Sequence, residues 1–153
     1  MAEPARQAVA ETVVIRSKRF GDYEVPADRV LVFRDGLIGF PHAQRFVLLE
    51  PTRPGTPFRY LLCVDLPELG FVVCDARALS PLAARDVPLP ADTRPEDVAI
   101  LAIVTVPADP RGMTANLMAP LVVDSRTNAG RQLVLDTGSH PLRYPILAPA
   151  TAD

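Results

Sequence analysis

Six aspartates, Asp35, Asp65, Asp75, Asp109, Asp124 and Asp136, are the residues best suited to proton transfer in this chain. Two carboxylates held in different environments separate their pKa values and so supply an acid and a base. Here nearly all fall at the ends of apolar segments, where Asp bonds to nearby backbone amides and favours turns. No two of them stand out as a pair. His42 follows Pro41 and His140 precedes Pro141, and no serine or cysteine nucleophile motif lies near either. Both are expected to be solvated loop histidines. With only two cysteines, Cys63 and Cys74, soft ligands are too few for a zinc or iron site. A small hydrolase would need a pocket holding a perturbed acid beside a base or nucleophile. The sequence offers none, so neither metal, cofactor nor catalysis is expected, and a binding role is favoured over an enzymatic one.

The run Asp35-Gly36-Leu37-Ile38-Gly39-Phe40-Pro41 has the glycines of a phosphate loop. It lacks the Lys-Ser or Lys-Thr that would follow, and no helix can start at its proline. The glycines are better read as turn residues supplying positive φ. That reading leaves Leu37, Ile38 and Phe40, three large apolar side chains, on one loop. Such a loop either plugs the core or meets a partner.

The elements that must carry these residues follow from composition and pattern. The chain has 153 residues, 48% hydrophobic and 22% charged, enough for one sizeable core. Sixteen Lys and Arg against 18 Asp and Glu give a net charge of -2, which lacks the broad positive field that nucleic acid requires. The strongly apolar run 98–106 is about half of the roughly 20 residues a membrane helix needs. The first residues lack a basic stretch followed by a long apolar one, so a cytoplasmic protein without membrane association is expected. Seventeen prolines break any long helical pattern, because each fixes φ and removes a backbone donor.

Short β-branched segments separated by Gly, Pro and Asp predict an all-β fold, a small antiparallel β-barrel-like domain of about ten short strands. The strands are placed at residues 12–16, 29–33, 45–50, 58–64, 71–75, 85–89, 98–106, 113–117, 121–124 and 132–136. At most one or two short helical turns are expected, one of them near Asp92-Thr93-Arg94-Pro95-Glu96-Asp97. Residues 11–145 form the single domain; 1–10 are expected to be a disordered tail and 146–153 a flexible one. The run 98–106 is the central strand, apolar on both faces. A hairpin at Leu66-Pro67-Glu68-Leu69-Gly70 would place Cys63 opposite Val72 and diagonal to Cys74 on one sheet face. That spacing of roughly 7–8 Å exceeds the disulfide range, so two buried free thiols are expected.

Several strings carry a resemblance: Lys18-Arg19-Phe20-Gly21, Phe33-Arg34-Asp35-Gly36-Leu37-Ile38-Gly39-Phe40 and Arg45-Phe46-Val47-Leu48-Leu49. They continue through Pro57-Phe58-Arg59-Tyr60-Leu61, Phe71-Val72-Val73-Cys74-Asp75 and Pro95-Glu96-Asp97-Val98. Ile103-Val104-Thr105-Val106-Pro107 and Met113-Thr114-Ala115-Asn116-Leu117-Met118-Ala119-Pro120-Leu121-Val122-Val123 are the strongest. In order and spacing they resemble the flagellar assembly factor FliW family over about residues 12 to 144. The chain departs from the family at Leu62-Cys63, where Gln-Ser is common, and at Ile38, where proline is common. It also departs before Pro95, where a longer acidic segment is common.

The resemblance implies a non-enzymatic regulator that binds and antagonises the RNA-binding translational repressor CsrA and is sequestered by flagellin. Retained flagellin would occupy the protein and leave CsrA free to repress; export of flagellin would reverse this. The contact surface is expected to combine Leu37, Ile38 and Phe40 with Met113, Thr114 and Asn116. Against this, Asn116 would also suit a bulge before Pro120, and Met113 the core. The departures at Leu62-Cys63 and 91–94 leave an alternative, a dedicated flagellin chaperone with little CsrA binding.

Overall fold

A computed structural model describes residues 11–50, 57–80, 85–89, 93–135 and 140–146. Asp136, Ala91 and Asp92, the predicted tail 1–10 and nearly all of the predicted tail 146–153 lie outside these. Ile146, counted with the tail in the sequence reading, donates its N–H to the Met113 carbonyl at 3.1 Å and packs on buried side chains.

The chain opens with a hairpin, β1 (Thr12–Ser17) and β2 (Gly21–Pro26), in which Val13 pairs with Val25 and Ile15 with Tyr23. β2 was not expected from the sequence, because Asp, Glu and Pro are depleted in strands. Its place is secured by one face: Val13, Ile15, Tyr23 and Val25 pack with Val47 and Leu62 of the main sheet. The main sheet comprises β3 (Leu31–Phe33), β4 (Arg45–Leu49), β5 (Phe58–Cys63), β6 (Gly70–Asp75), β7 (Val98–Thr105), β8 (Thr114–Asp124), β9 (Ala129–Gln132) and β10 (Tyr144–Pro145). The order β8-β7-β6-β5-β4-β3-β9 closes on itself through a β8–β9 pairing, making a seven-stranded barrel. β10 lies outside it, against the first half of β8. One pairing departs from the antiparallel expectation: β3 and β9 run parallel, Val32 with Ala129 and Phe33 with Gly130.

β7 is the central strand the apolar run predicted. Its even-numbered residues, Val98, Ile100, Ala102 and Val104, join an outer cluster with Leu117, Val122 and Leu135. Its odd-numbered residues Ala99, Leu101 and Ile103 face the interior, with Phe33, Phe46, Leu61, Val73 and Leu121. Both faces are therefore removed from water, which strand alternation requires of a continuous apolar run. A four-residue helix, α1 (Ala76–Leu79), covers part of the outer cluster; the Asp75 carboxylate caps it by accepting from the Arg77 N–H at 2.9 Å. With three 3-10 turns, at Ala27–Arg29, Pro95–Asp97 and Pro110–Gly112, the helical pieces exceed the one or two expected.

Other expectations are corrected. Residues 85–89 are not a strand: Pro88 lacks a backbone donor, Val87 is buried, and Asp86 turns to His140 instead. Residues 114–117 and 121–124 belong to one strand, β8, with a bulge in its middle, and Met113 lies just before it. The last barrel strand lies at Ala129–Gln132 rather than 132–136, although Leu133 and Leu135 still donate to the Pro120 and Met118 carbonyls. Cys63 and Cys74 are buried free thiols, but the register differs from the expected one. Cys74 pairs with Phe58, Leu62 pairs with Gly70, and the Cys63 N–H donates to Leu69. The cysteines consequently face opposite sides of the sheet, Cys63 inward and Cys74 outward.

Candidate functional site

The loop after β3 is built by its two glycines. Gly36 (φ 68°) and Gly39 (φ 88°) occupy the left-handed region, open to glycine without the clash a Cβ meets there. Between them Leu37 and Phe40 exchange both backbone hydrogen bonds, at 3.1 and 2.7 Å. This closes a tight turn that splits the apolar side chains. Leu37 is 3% exposed and fills the barrel interior, whereas Ile38 is 59% and Phe40 43% exposed. Phe40 meets Phe71 edge to face, ring centroids 6.1 Å apart, an arrangement favoured by the ring quadrupoles.

The second half of the predicted surface sits on β8. Ile103 pairs with Asn116 and Leu101 with Leu121, so four β8 residues, Leu117 to Pro120, bulge out opposite Ala102. Asn116 holds this bulge: its Oδ1 accepts from the N–H groups of Met118 and Ala119, each at 3.0 Å. The structural role weighed for Asn116 is thus the one its side chain performs. Gln132 then links the two halves. Its Oε1 accepts from the Ile38 N–H at 2.8 Å and its Nε2 donates to the Ala119 carbonyl at 3.0 Å. The sequence reading gave Gln132 and Phe71 no place in the site, since both act through partners distant along the chain.

Strand parity sorts the rest. Asn116 shares its sheet face with Ile103 and Val73 through the register pairs Val73–Ile103 and Ile103–Asn116. Phe71 and Thr114 lie two residues along their strands on that same face. Leu37, Ile38, Phe40, Thr114 and Asn116 therefore gather around one end of the barrel. Met113 does not join them: it packs in the outer cluster, beside Tyr144 and Ile146. The core alternative weighed for Met113 is where it sits.

Three of the acids follow the turn chemistry expected of them and Asp65 and Asp35 do not. Asp75 caps α1, Asp109 and Asp124 each accept from a backbone N–H two residues on, and Asp65 pairs with Arg45. The Arg111 hydrogen bonds hold the exposed Asp109 carboxyl below its ordinary pKa. Asp35 is exposed at the loop. His42 is solvent-facing as expected, but His140 is not. It is buried, with Nε2 2.7 Å from the Asp86 carboxylate, because the 140–146 segment folds back over the outer cluster. Among the described residues no cluster of three or more His, Cys, Asp or Glu could hold a metal ion. No helix among them is long and apolar enough to cross a membrane.

The structure thus defines a class: a small closed β-barrel with an aromatic loop braced against one end. The FliW protein family model matches residues 14–146, and the chain belongs to the FliW family. It is 33% identical to the flagellar assembly factor FliW of Thermoanaerobacter pseudethanolicus over 138 residues, covering 87% of this chain and 92% of the relative. It is 34% identical to the FliW of Bdellovibrio bacteriovorus, over 88% and 79% of the two chains. A crystal structure of the flagellar assembly factor FliW superposes with a TM-score of 0.76 at 30% identity, covering 88% of this chain and 97% of that one. The family departure at Leu62-Cys63 falls on buried side chains and leaves the surface unaltered.

Proposed function

We propose that this chain is a cytoplasmic, non-enzymatic regulator of flagellin synthesis that binds and antagonises the translational repressor CsrA and is sequestered by flagellin. The observation that carries the reading is the loop of Ile38 and Phe40. Two large apolar side chains stand exposed on a turn that glycines, Phe71 and Gln132 hold in one shape. A preorganised apolar projection of this kind loses little conformational freedom on binding and so converts contact into affinity. Ile38 and Phe40 supply contact, Thr114 and Asn116 supply the adjoining rim, and Leu37 anchors the loop from the barrel interior, while Met113, in the outer cluster, acts only by supporting the start of β8 from the other side. Mild acidity favours encounter with a basic, RNA-binding partner. If both partners use this end of the barrel, mass action alone produces the switch, provided their affinities lie near cellular concentrations.

The test is an isothermal titration of the protein with CsrA from the same genome, repeated after saturation with flagellin. Saturable CsrA binding abolished by flagellin supports the switch. Flagellin binding without CsrA binding selects a dedicated flagellin chaperone, and binding to neither removes the proposal.

A further inference from the structure

Two arginines stand at the barrel's closing seam without a salt-bridge partner among the described residues. Arg131 lies on β9, and Arg34 directly follows β3. The parallel pairs Val32–Ala129 and Phe33–Gly130 bring the two strands side by side just before them. Phe33 points inward, in the interior cluster and hard against Gly130, so the next residue along each strand is directed outward. Both arginines are exposed, both line one groove of 490 Å³, and among the described residues neither forms a salt bridge. Like charges at neighbouring strand positions repel, so packing alone gives no reason for the juxtaposition.

The groove beneath them is apolar. Val32, 42% exposed, lies beside Val98 and Val122. Of its two acids, Asp124 is already engaged, accepting from the Arg126 N–H at 2.9 Å with the Arg126 guanidinium 3.8 Å away. The other, Asp35, sits where the groove adjoins a second concavity of 310 Å³ that shares Asp35 and Arg131 and reaches Ile38 and Gln132. The two form one furrow from the exposed loop to Val98, with two guanidiniums and one carboxylate that have no salt-bridge partner among the described residues. In a chain of net charge -2, the furrow thus offers two cationic side chains to a ligand.

We propose that this furrow docks an extended segment of a protein partner in which carboxylate side chains alternate with apolar ones. Arginine's planar fork matches a carboxylate with two parallel hydrogen bonds, and the valines receive the apolar neighbours. Two cations over an apolar floor suit such a segment better than a phosphate backbone, whose binding rests on many cations. The inference does not rest on the partners proposed above: failure of CsrA or flagellin to bind leaves it standing.

The experiment is an NMR titration of the 15N-labelled protein with the peptide acetyl-Ser-Val-Glu-Leu-Glu-Ser-amide, its Gln-for-Glu counterpart and inorganic phosphate. The expected result is saturable shifts at Val32, Thr127 and Arg131, with a Kd of about 1 mM. The Gln peptide should bind at least about tenfold more weakly, a difference of about 1.4 kcal/mol. Arg34→Gln with Arg131→Gln should abolish the shifts while the rest of the spectrum stays that of the folded protein. Arg131→Glu should reverse the preference towards a Lys-for-Glu peptide. Equal binding of the Gln peptide, shifts mapping elsewhere, no saturation, or the same response to phosphate alone would overturn the proposal.

Discussion

Ile38 and Ala119 belong to different parts of the barrel, yet both are hydrogen-bonded to the same side-chain amide. Gln132 accepts from the Ile38 N–H at 2.8 Å and donates to the Ala119 carbonyl at 3.0 Å. A loop that would otherwise be free to move is thereby fixed to the β8 bulge, and the bulge to the strand that closes the barrel. Replacing the amide by a hydrocarbon of similar size, Gln132→Leu, removes both bonds. Water can take over the exposed Ile38 N–H, but Ala119 is buried, so its carbonyl is left without that donor. A loss of about 1–3 kcal/mol is expected, read as a lower urea midpoint with an unchanged slope.

The two glycines of the loop are not equivalent. A Cβ on Gly36 would collide with the Phe40 and Pro41 carbonyls, whereas one on Gly39 meets nothing within 4 Å. Both carry positive φ. Gly39→Ala is therefore expected to cost only the conformational strain, about 1–2 kcal/mol. Gly36→Ala adds a backbone clash and should cost about 3 kcal/mol or more. Thermal unfolding of the two variants side by side checks the order, and equal losses would contradict the loop geometry.

Phe40 and Asn116 are expected to separate contact from support. Phe40→Ala gives up an aromatic pair worth about 0.5–1.5 kcal/mol, so the protein should stay folded while partner affinity falls at least about tenfold. Asn116→Ala deprives two bulge N–H groups of their acceptor and should cost about 1–3 kcal/mol of stability. Its effect on binding should follow from a disturbed bulge. Calorimetric titration of both variants, with unfolding curves for each, distinguishes the two roles.

Much of this arrangement was legible in the amino-acid pattern. The β-branched run at 98–106 announced a strand covered on both faces, and Gly36 and Gly39 announced a turn carrying apolar side chains. What escaped were features that exist only through distant partners. β2 is too rich in Asp, Glu and Pro to look like a strand, and it becomes one because Tyr23 and Val25 find Val47 and Leu62. His140 resembled a solvated loop residue because its burial comes from its segment folding over the outer cluster and its partner, Asp86, is far away in sequence. The cysteine register was misjudged by assuming a tight hairpin. Val72, expected opposite Cys63, instead pairs with Tyr60, and the Cys63 N–H donates to Leu69. At the site, the apolar loop was visible in the sequence, whereas Gln132, a single polar residue in an unremarkable segment, carried no local signal.

Burial pushes the Cys74 thiol up to about 11, and that of Cys63 upward as well. Both folded-state values exceed the unfolded ones, so each thiol's contribution to stability is complete below the unfolded value of 9.0 and is lost as pH rises through its folded value, about 11 for Cys74. Between these limits the wild type should lose stability faster than Cys74→Ala, measured by urea unfolding at successive pH values. At neutral pH neither thiol should react with a disulfide reagent until the protein is unfolded.

The parallel pairing of β3 with β9 has a consequence for synthesis. A chain made from its N-terminus exposes β3 early, but β9, the strand that completes its outer side, emerges only after β4 to β8. Until then the nascent sheet has an unpaired edge at β3, open to pairing with another copy. Such a distant pairing is slow to form. The barrel is thus complete only once β9 has been made, and any truncation before β9 leaves a sheet with two open edges in place of a closed ring.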